Sequence, residues 1–199
     1  MKTGRTGHRA LFKAAQRALV AATLLTVGCS YLGSAREFDP SDFARDPRWI
    51  RADSVPLILQ REQRDCGAAA AAMVLAHWNR PTPREEILAL KPPARGRGMT
   101  AGDLKACLEL KGLKAFTGKG TLELLEKQLR KGRPAIVGLV KPHLQGLFTH
   151  FEVAVAVHPV EKRVVTLDPA RGWRENDLEG FFAEWEPAGR TLLVATEPE

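Results

Sequence analysis

The first half of the chain has apolar residues at the spacing of helices. An alanine-rich run over residues 68–78 favours a helix intrinsically, and Cys66 lies at or just before its first turn. Arg84–Leu90 follows a proline that suits a first helical turn. Two further helices are predicted where Thr100 and Thr121 can cap segments with helical periodicity. This half of the chain is therefore predicted to be mainly helical.

The second half of the chain has patterns that are typical of β-strands. Residues 151–157 alternate between large apolar side chains and smaller or polar ones, which is the period of a strand. With the shorter runs, the predicted strands are 55–59, 113–116, 135–140, 151–157, 163–167 and 191–195. A short helix around Phe181 and Trp185 precedes the last strand. Helices followed by strands, rather than alternating with them, predict an α+β fold.

Cys66 is the candidate nucleophile of the chain. A polar segment that starts at Gln60 ends in Asp65-Cys66-Gly67, immediately before the alanine-rich helix. The partial positive charge of a helix N-terminus favours the thiolate form of a cysteine, which is the form that attacks. Cys107 lies on the apolar face of its own helix and is expected to be a buried, inert thiol. A Cys66–Cys107 disulfide is the alternative, and it would disable a nucleophile.

A predicted hairpin supplies the candidate base and its orienting acid. His150 opens the strand 151–157, and a turn centred near residue 160 returns the chain to Asp168. Across the strand pair, Asp168 then falls within about two positions of His150. Glu152 shares a strand face with His150 and is the alternative orienting acid, and His143 is the competing base, in a loop.

The chain starts with a pattern that is typical of export. Residues 1–29 combine a basic region, an apolar run that is too short to span a bilayer, and small residues before Cys29. Thr26-Val27-Gly28-Cys29 resembles the lipobox of bacterial lipoproteins, although Thr26 stands where that motif usually has Leu. We expect a lipid-anchored exported protein, with a plain signal peptide or an uncleaved anchor as alternatives. In a Gram-negative cell, Ser30 after the cysteine would favour the outer membrane by the same resemblance.

The net charge of +7 comes mostly from this export segment. Five positive charges and no acidic residue lie in residues 1–28, namely Lys2, Arg5, Arg9, Lys13 and Arg17, which leaves a net charge of +2 for the remainder. A domain this close to neutral gives no reason to expect nucleic-acid binding. Residues 30–54 are polar, mixed in charge and without apolar periodicity, and are predicted to be a tether or a surface arm.

These residues resemble one family. Gln60, Asp65-Cys66-Gly67 with a helix of small residues, a later His150 that opens a valine-rich strand, and Asp168-Pro169 are similar to the bacteriocin-processing, double-glycine-leader cysteine peptidases. This papain-like group often forms the first domain of peptide exporters. The resemblance covers about residues 55–197. It implies a papain-like peptidase domain, for which we take residues 55–199.

The resemblance also implies a role for each residue. Cys66 would be the nucleophile, His150 the general base and later the acid, and Asp168 the residue that orients the imidazole ring. Gln60 would donate its side-chain amide to the oxyanion, beside the backbone N–H of Cys66. Neither a cofactor nor a metal is implied. Glu152 remains the second choice for the orienting acid.

The function expected from the sequence is a cysteine endopeptidase that acts on peptides or small exported proteins. A Cys-dependent acyl transferase or amidase with the same triad is an alternative, because related sites transfer acyl groups to acceptors other than water. A non-catalytic peptide-binding lipoprotein is the third reading. No fused transporter is expected, since the sequence shows neither a membrane bundle nor a Gly-rich phosphate-binding loop followed by Lys-Ser or Lys-Thr.

Overall fold

A computed structural model describes residues 34–94, 97–143 and 146–198. The side chains at positions 142–143 and 146–147 are not described. The export segment, including Cys29, lies outside these residues. In the described ranges no helix is both long enough and apolar enough to cross a membrane.

The described part of the chain forms six helices. They are α1 (Asp42–Arg45), α2 (Cys66–His77), α3 (Arg84–Leu90), α4 (Ala101–Leu110), α5 (Leu122–Leu129) and α6 (Leu178–Trp185). The predicted caps are confirmed: Thr100 forms a capping box with Asp103, and the Thr121 side chain accepts a hydrogen bond from the backbone N–H of Leu124. Each cap satisfies backbone N–H groups that have no partner inside the helix.

The strands of this part form one antiparallel sheet. They are β1 (Arg36–Glu37), β2 (Ile50–Arg51), β3 (Lys114–Lys119), β4 (Ala135–His143), β5 (Gly146–His158), β6 (Arg163–Asp168), β7 (Gly172–Asp177) and β8 (Thr191–Thr196). Their order is β1-β7-β6-β5-β4-β8-β3, and β2 pairs with β5. Helices combined with one antiparallel sheet confirm the α+β class.

Helix α2 is the centre of the packing. All of its residues from Cys66 to Leu75 are buried, and the alanines let the helix lie close to its neighbours. Gly67 is needed for this close approach, since a Cβ there would lie 3.2 Å from Leu104 Cδ2 and 3.3 Å from Met99 Cβ. The helix therefore fixes Cys66 in a rigid, buried setting.

The N-terminal arm, defined here as residues 34–52, packs onto the sheet. β1 pairs with β7 and β2 pairs with β5. Trp49 is buried against the rings of Phe38, Phe43 and His158, with ring centroids between 4.9 and 5.6 Å away. The arm thus contributes two strands and an aromatic cluster to the fold.

One predicted strand is absent from the structure, and one strand of the structure was not predicted. Residues 55–59 form no strand, and the two strands before them are the short β1 and β2 of the arm. Strand β7 was not predicted, because its sequence Gly-Trp-Arg-Glu-Asn-Asp lacks the apolar alternation of a half-buried strand. It pairs with β6 on one side and β1 on the other, so its backbone pairing compensates for a polar sequence.

Candidate active site

Cys66 is the first residue of α2, and only 6% of it is exposed. Asp65 occupies the N-cap position, but its side chain does not cap the helix. It accepts a hydrogen bond from the backbone N–H of Glu62 instead, at 3.2 Å. This bond closes the polar turn before the cysteine. The N–H groups in a first helical turn lack intrahelical acceptors, so they can donate hydrogen bonds to a ligand beside Cys66.

The hairpin of β5 and β6 brings His150 and Asp168 together as predicted. Leu167 pairs with Val153, which places Asp168 across from Glu152 and two residues from His150. Alternate residues of a strand share a face, so the three side chains point the same way. His150 Nε2 lies 2.7 Å from Asp168 Oδ1, and both side chains are buried.

The His150 ring also faces Cys66. Burial of the ring opposes its protonation, but the hydrogen bond with Asp168 and the interaction with the Cys66 side chain outweigh it and raise the pKa of His150 to about 10. Because Nε2 is taken by Asp168, Nδ1 is the nitrogen on the side of the thiol. The ring therefore connects the Cys66 thiol on α2 to the Asp168 carboxylate on β6. With this pKa, the ring is a positively charged imidazolium at neutral pH.

Asp168 is held as a carboxylate. Burial alone would raise its pKa, yet the bond with His150 and the backbone N–H of Ala170, which donates to Oδ1 at 2.7 Å, keep the pKa of Asp168 below its usual range. This second bond fixes the rotation of the carboxylate. Asp168 can then orient the ring of His150 and stabilise its positive charge.

Glu152, the alternative orienting acid, does not contact the ring closely. Its Oε1 lies 4.0 Å from His150 Nε2 and 3.0 Å from the ammonium group of Lys141. Its Oε2 accepts a hydrogen bond from the Thr166 hydroxyl at 2.5 Å. The geometry therefore favours Asp168 as the partner of His150, and Glu152 is occupied elsewhere.

Sequence reasoning missed the charged residues that surround Glu152. Lys141 Nζ also lies 2.5 Å from Glu184 Oε2, and both residues are buried. A lysine directly after an apolar strand was the available signal, since a charge there needs a partner. Glu184 lies 43 residues later on α6, however, and no local pattern connects the two.

Gln60 is placed next to the loop that follows Asp168. Its backbone N–H donates a hydrogen bond of 2.8 Å to the carbonyl of Pro169, and the residue is half-buried. His143, the competing base, falls within β4, and its side chain is not among those described.

Cys107 is separate from this site. Both Cys66 and Cys107 are free thiols, and Cys107 is fully buried, with its Sγ 3.7 Å from the carbonyl oxygen of Ile87. Burial raises the pKa of the Cys107 thiol. These observations agree with a buried thiol and not with a Cys66–Cys107 disulfide.

Two clusters in the described residues have metal-ligand atoms within 4.8 Å of one another. They are Asp46, His158 and Glu161, and His150, Glu152 and Asp168. In the first, His158 Nε2 lies 3.1 Å from Asp46 Oδ2, and Nδ1 accepts a hydrogen bond from the backbone N–H of Glu161. In the second, His150 binds Asp168 and Glu152 pairs with Lys141. In both clusters the donor atoms are already engaged with protein groups.

Comparison with solved structures identifies the fold. A double-glycine motif protease from an AMS/PCAT transporter, crystallised with its leader peptide, is 28% identical with a TM-score of 0.60 over 74% of this chain and 94% of its own. The peptidase domain of Streptococcus ComA has a TM-score of 0.62 at 21% identity, over 73% of this chain and 100% of its own. A C39-like peptidase from Bacillus anthracis has a TM-score of 0.61 at 16% identity, over 76% of this chain and 98% of its own. The papain-like fold of these peptidases is therefore confirmed.

Sequence comparison extends this result to the family. No curated protein sequence matches the chain significantly. The family model described as "Peptidase C39 family", by contrast, matches residues 54–199, which include the half-buried Gln60 and the Cys66, His150 and Asp168 cluster. The chain therefore belongs to the Peptidase C39 family.

Proposed function

We propose that this protein is a cysteine endopeptidase that cleaves peptides or small exported proteins with a Cys66–His150–Asp168 triad. The observation that carries the proposal is the position of His150. Its Nε2 bonds Asp168 at 2.7 Å, while the same ring interacts with the thiol at the start of α2. A nucleophile, a base and an orienting acid in this order are what acyl transfer requires.

The first half of the reaction breaks the peptide bond. The Cys66 thiolate attacks the carbonyl carbon, and the peptide oxygen becomes an oxyanion. The His150 imidazolium then donates its proton to the leaving nitrogen, the C–N bond breaks, and a thioester with the enzyme remains. Asp168 holds the ring in position and stabilises its charge before the transfer.

The second half restores the enzyme. Neutral His150 takes a proton from water, whose oxygen attacks the thioester carbon, and the C–S bond breaks to release a carboxylic acid product. The thiolate and imidazolium are then present again. In both halves the oxyanion lies beside the backbone N–H of Cys66, with the Gln60 side-chain amide as the second donor. The bond from Gln60 N–H to Pro169 supports this role, because it holds the residue beside the triad.

A structural relative supports peptides as the substrate class. The double-glycine motif protease of similar fold was crystallised with a leader peptide. We therefore propose peptides as substrates here and take a peptide with a double-glycine motif as the first probe. The export pattern of residues 1–29 supports a location outside the cytoplasm, with a lipid anchor at Cys29, the arm next to it, and the peptidase domain over residues 55–199.

Comparison of the wild-type protein with Cys66→Ala tests the proposed function. Both proteins are incubated with peptides that contain or lack a double-glycine motif, and the products are identified by mass spectrometry. We expect cleavage by the wild type and by Cys107→Ala, the control for a buried thiol, and none by Cys66→Ala. Equal cleavage by Cys66→Ala would overturn the mechanism, and products joined to an added amine would indicate a transferase.

A further inference from the structure

A buried cluster of charges lies beside the proposed triad. Lys141 on β4, Glu152 on β5 and Glu184 on α6 are each 5% exposed or less. The ammonium group lies 3.0 Å from Glu152 Oε1 and 2.5 Å from Glu184 Oε2. Removing one partner from such a cluster leaves an uncompensated buried charge. The three side chains therefore depend on one another.

Glu152 is the member of this cluster that lies nearest to His150. The Glu152 carboxylate lies 4.0 Å from His150 Nε2, on the same strand face, while Asp168 lies at 2.7 Å. One ring N–H donates a single strong hydrogen bond, so the two carboxylates compete for it. Either acid could take the ring if nothing restrained the other.

Lys141 supplies the restraint. Its ammonium group binds Glu152 Oε1, and the Thr166 hydroxyl binds Oε2, so both oxygens have partners other than His150. Burial opposes protonation of Lys141, but Glu152 and Glu184 outweigh it and raise the pKa of the Lys141 ammonium group. Lys141 is therefore positively charged at neutral pH.

The far side of the cluster reaches the N-terminal arm. Glu184 Oε1 accepts hydrogen bonds from the backbone N–H of Ser34 at 2.8 Å and from its hydroxyl at 3.0 Å. The Asn176 amide donates to the same hydroxyl at 2.7 Å. Ser34 precedes residues 54–199, which match the family. The arm thus hydrogen-bonds to the Glu184 carboxylate, which forms the ion pair with Lys141.

We propose that Lys141 is a positioning residue of the proposed triad. Its ammonium group keeps the Glu152 carboxylate off the His150 ring, so that Asp168 alone orients the ring, and Ser34 of the arm secures the far side. This inference rests on the proposed function, because it assigns a role within the same site. The titratable groups that face His150 are then Cys66 from α2, Glu152 from its own strand and Asp168 from β6.

Alkylation of Cys66 by iodoacetamide as a function of pH tests the proposal without a substrate. Without the Lys141 ammonium group, the Glu152 carboxylate is free to attract the His150 imidazolium away from the Cys66 thiolate. Lys141→Met should therefore move the alkylation midpoint about one pH unit higher. In the peptide assay, kcat should fall about ten-fold or more with little change in KM. Lys105→Met, which removes a surface ion pair with Glu109, is the matched control and should change neither value.

A double variant separates positioning from a purely structural role. Adding Glu152→Gln to Lys141→Met removes the competing carboxylate, so the midpoint and kcat should return most of the way to the wild-type values. The proposal is overturned if the double variant has the same alkylation midpoint and kcat as Lys141→Met. It is also overturned if Lys141→Met has the wild-type midpoint. If Lys141→Met does not fold, as judged by circular dichroism, Lys141→Gln carries the same test.

Ser34→Ala and Ser41→Ala test whether the arm contributes to this positioning. Ser34→Ala removes the hydroxyl bond to Glu184 and should shift the midpoint in the same direction by a smaller amount, whereas the exposed Ser41 does not contact Glu184 and its replacement should have no effect. Equal alkylation midpoints for Ser34→Ala and Ser41→Ala would show that the arm does not contribute to the positioning of Glu152. A wild-type protein that is alkylated normally but cleaves no peptide would refute the proposed function and leave this result standing.

Discussion

The backbone N–H of Gln60 donates a hydrogen bond of 2.8 Å to the carbonyl of Pro169, the residue after Asp168. This bond joins the segment before the proposed nucleophile to the loop after the proposed orienting acid. It requires only backbone atoms, so it survives a change of the Gln60 side chain. The placement of the residue and the chemistry of its amide can therefore be separated.

Gln60→Ala should lower kcat by about 100- to 1,000-fold, because it removes one of the two proposed donors to the oxyanion. The rate of Cys66 alkylation should not change, since alkylation forms no oxyanion. Peptide cleavage and alkylation measured on the same samples check this. The exposed Gln63 lies in the same segment and serves as the control when changed to Ala. Equal losses of both activities would show that Gln60 supports the thiol and not the oxyanion.

Gly67→Ala should destabilise the protein by about 1–3 kcal/mol, because the added methyl group would overpack the core. Its Cβ would lie 3.2 Å from Leu104 Cδ2 and 3.3 Å from Met99 Cβ. Urea unfolding measures the change. Gly118→Ala, whose Cβ would meet no atom within 4 Å, is the control. A Gly67→Ala protein as stable as this control would contradict the close approach of α2.

The stability of the fold should decrease at alkaline pH because of His150. Burial opposes protonation of the ring, but Asp168 and Cys66 raise its pKa to about 10, above the ordinary value of 6.5. A group with a raised pKa stabilises the folded state fully below its unfolded pKa and loses that contribution as the pH rises through the folded pKa. The loss should therefore occur between about pH 6.5 and pH 10. Unfolding free energies of the wild type and His150→Gln across this range check it, and an equal slope in both proteins would contradict it.

Trp49→Ala should lower the free energy of unfolding by about 3–5 kcal/mol, as truncation of a buried aromatic side chain does. Trp49 is 7% exposed and packs on Phe38, Phe43 and His158. Thermal and urea unfolding measure the loss. Phe116, which is 55% exposed on β3, provides the control, and Phe116→Ala should change stability by less than about 0.5 kcal/mol. A small effect of Trp49→Ala would mean that the arm is only loosely attached.

Cys29→Ala should release the protein from the membrane fraction, because it removes the residue that we expect to be lipidated. Metabolic labelling with a palmitate analogue and cell fractionation measure the anchor. Cys107→Ala is the matched control and should keep both label and location. A Cys29→Ala protein that remains labelled would refute the lipoprotein hypothesis and leave the peptidase proposal untouched.

The sequence predicted the arrangement of the candidate site where local patterns were sufficient. Cys66 at the start of an alanine-rich helix required only helix propensity, and the approach of His150 to Asp168 required only a hairpin with its turn near residue 160. Both relationships depend on neighbours along the chain or on one strand pair. Such information is present in a single sequence.

The charged network could not be predicted in the same way. Lys141 contacts Glu184 on α6 and Glu184 contacts Ser34, 150 residues earlier in the chain. No periodicity encodes such distances. Strand β7 was missed for a related reason, since its polar sequence forms a strand only because β6 and β1 provide partners on both sides. The tertiary context, rather than local propensity, decides these elements.

The family match begins at residue 54, yet the chain from residue 34 onwards pairs with the sheet and binds Glu184. The part of the chain that the family model matches is thus shorter than the part that packs together in the structure. A catalytic module excised at the shared boundary would lose two strands and an aromatic cluster. The boundary of the family match and the boundary of the packed structure lie at different residues, so a peptidase domain moved into another protein should be cut before Ser34.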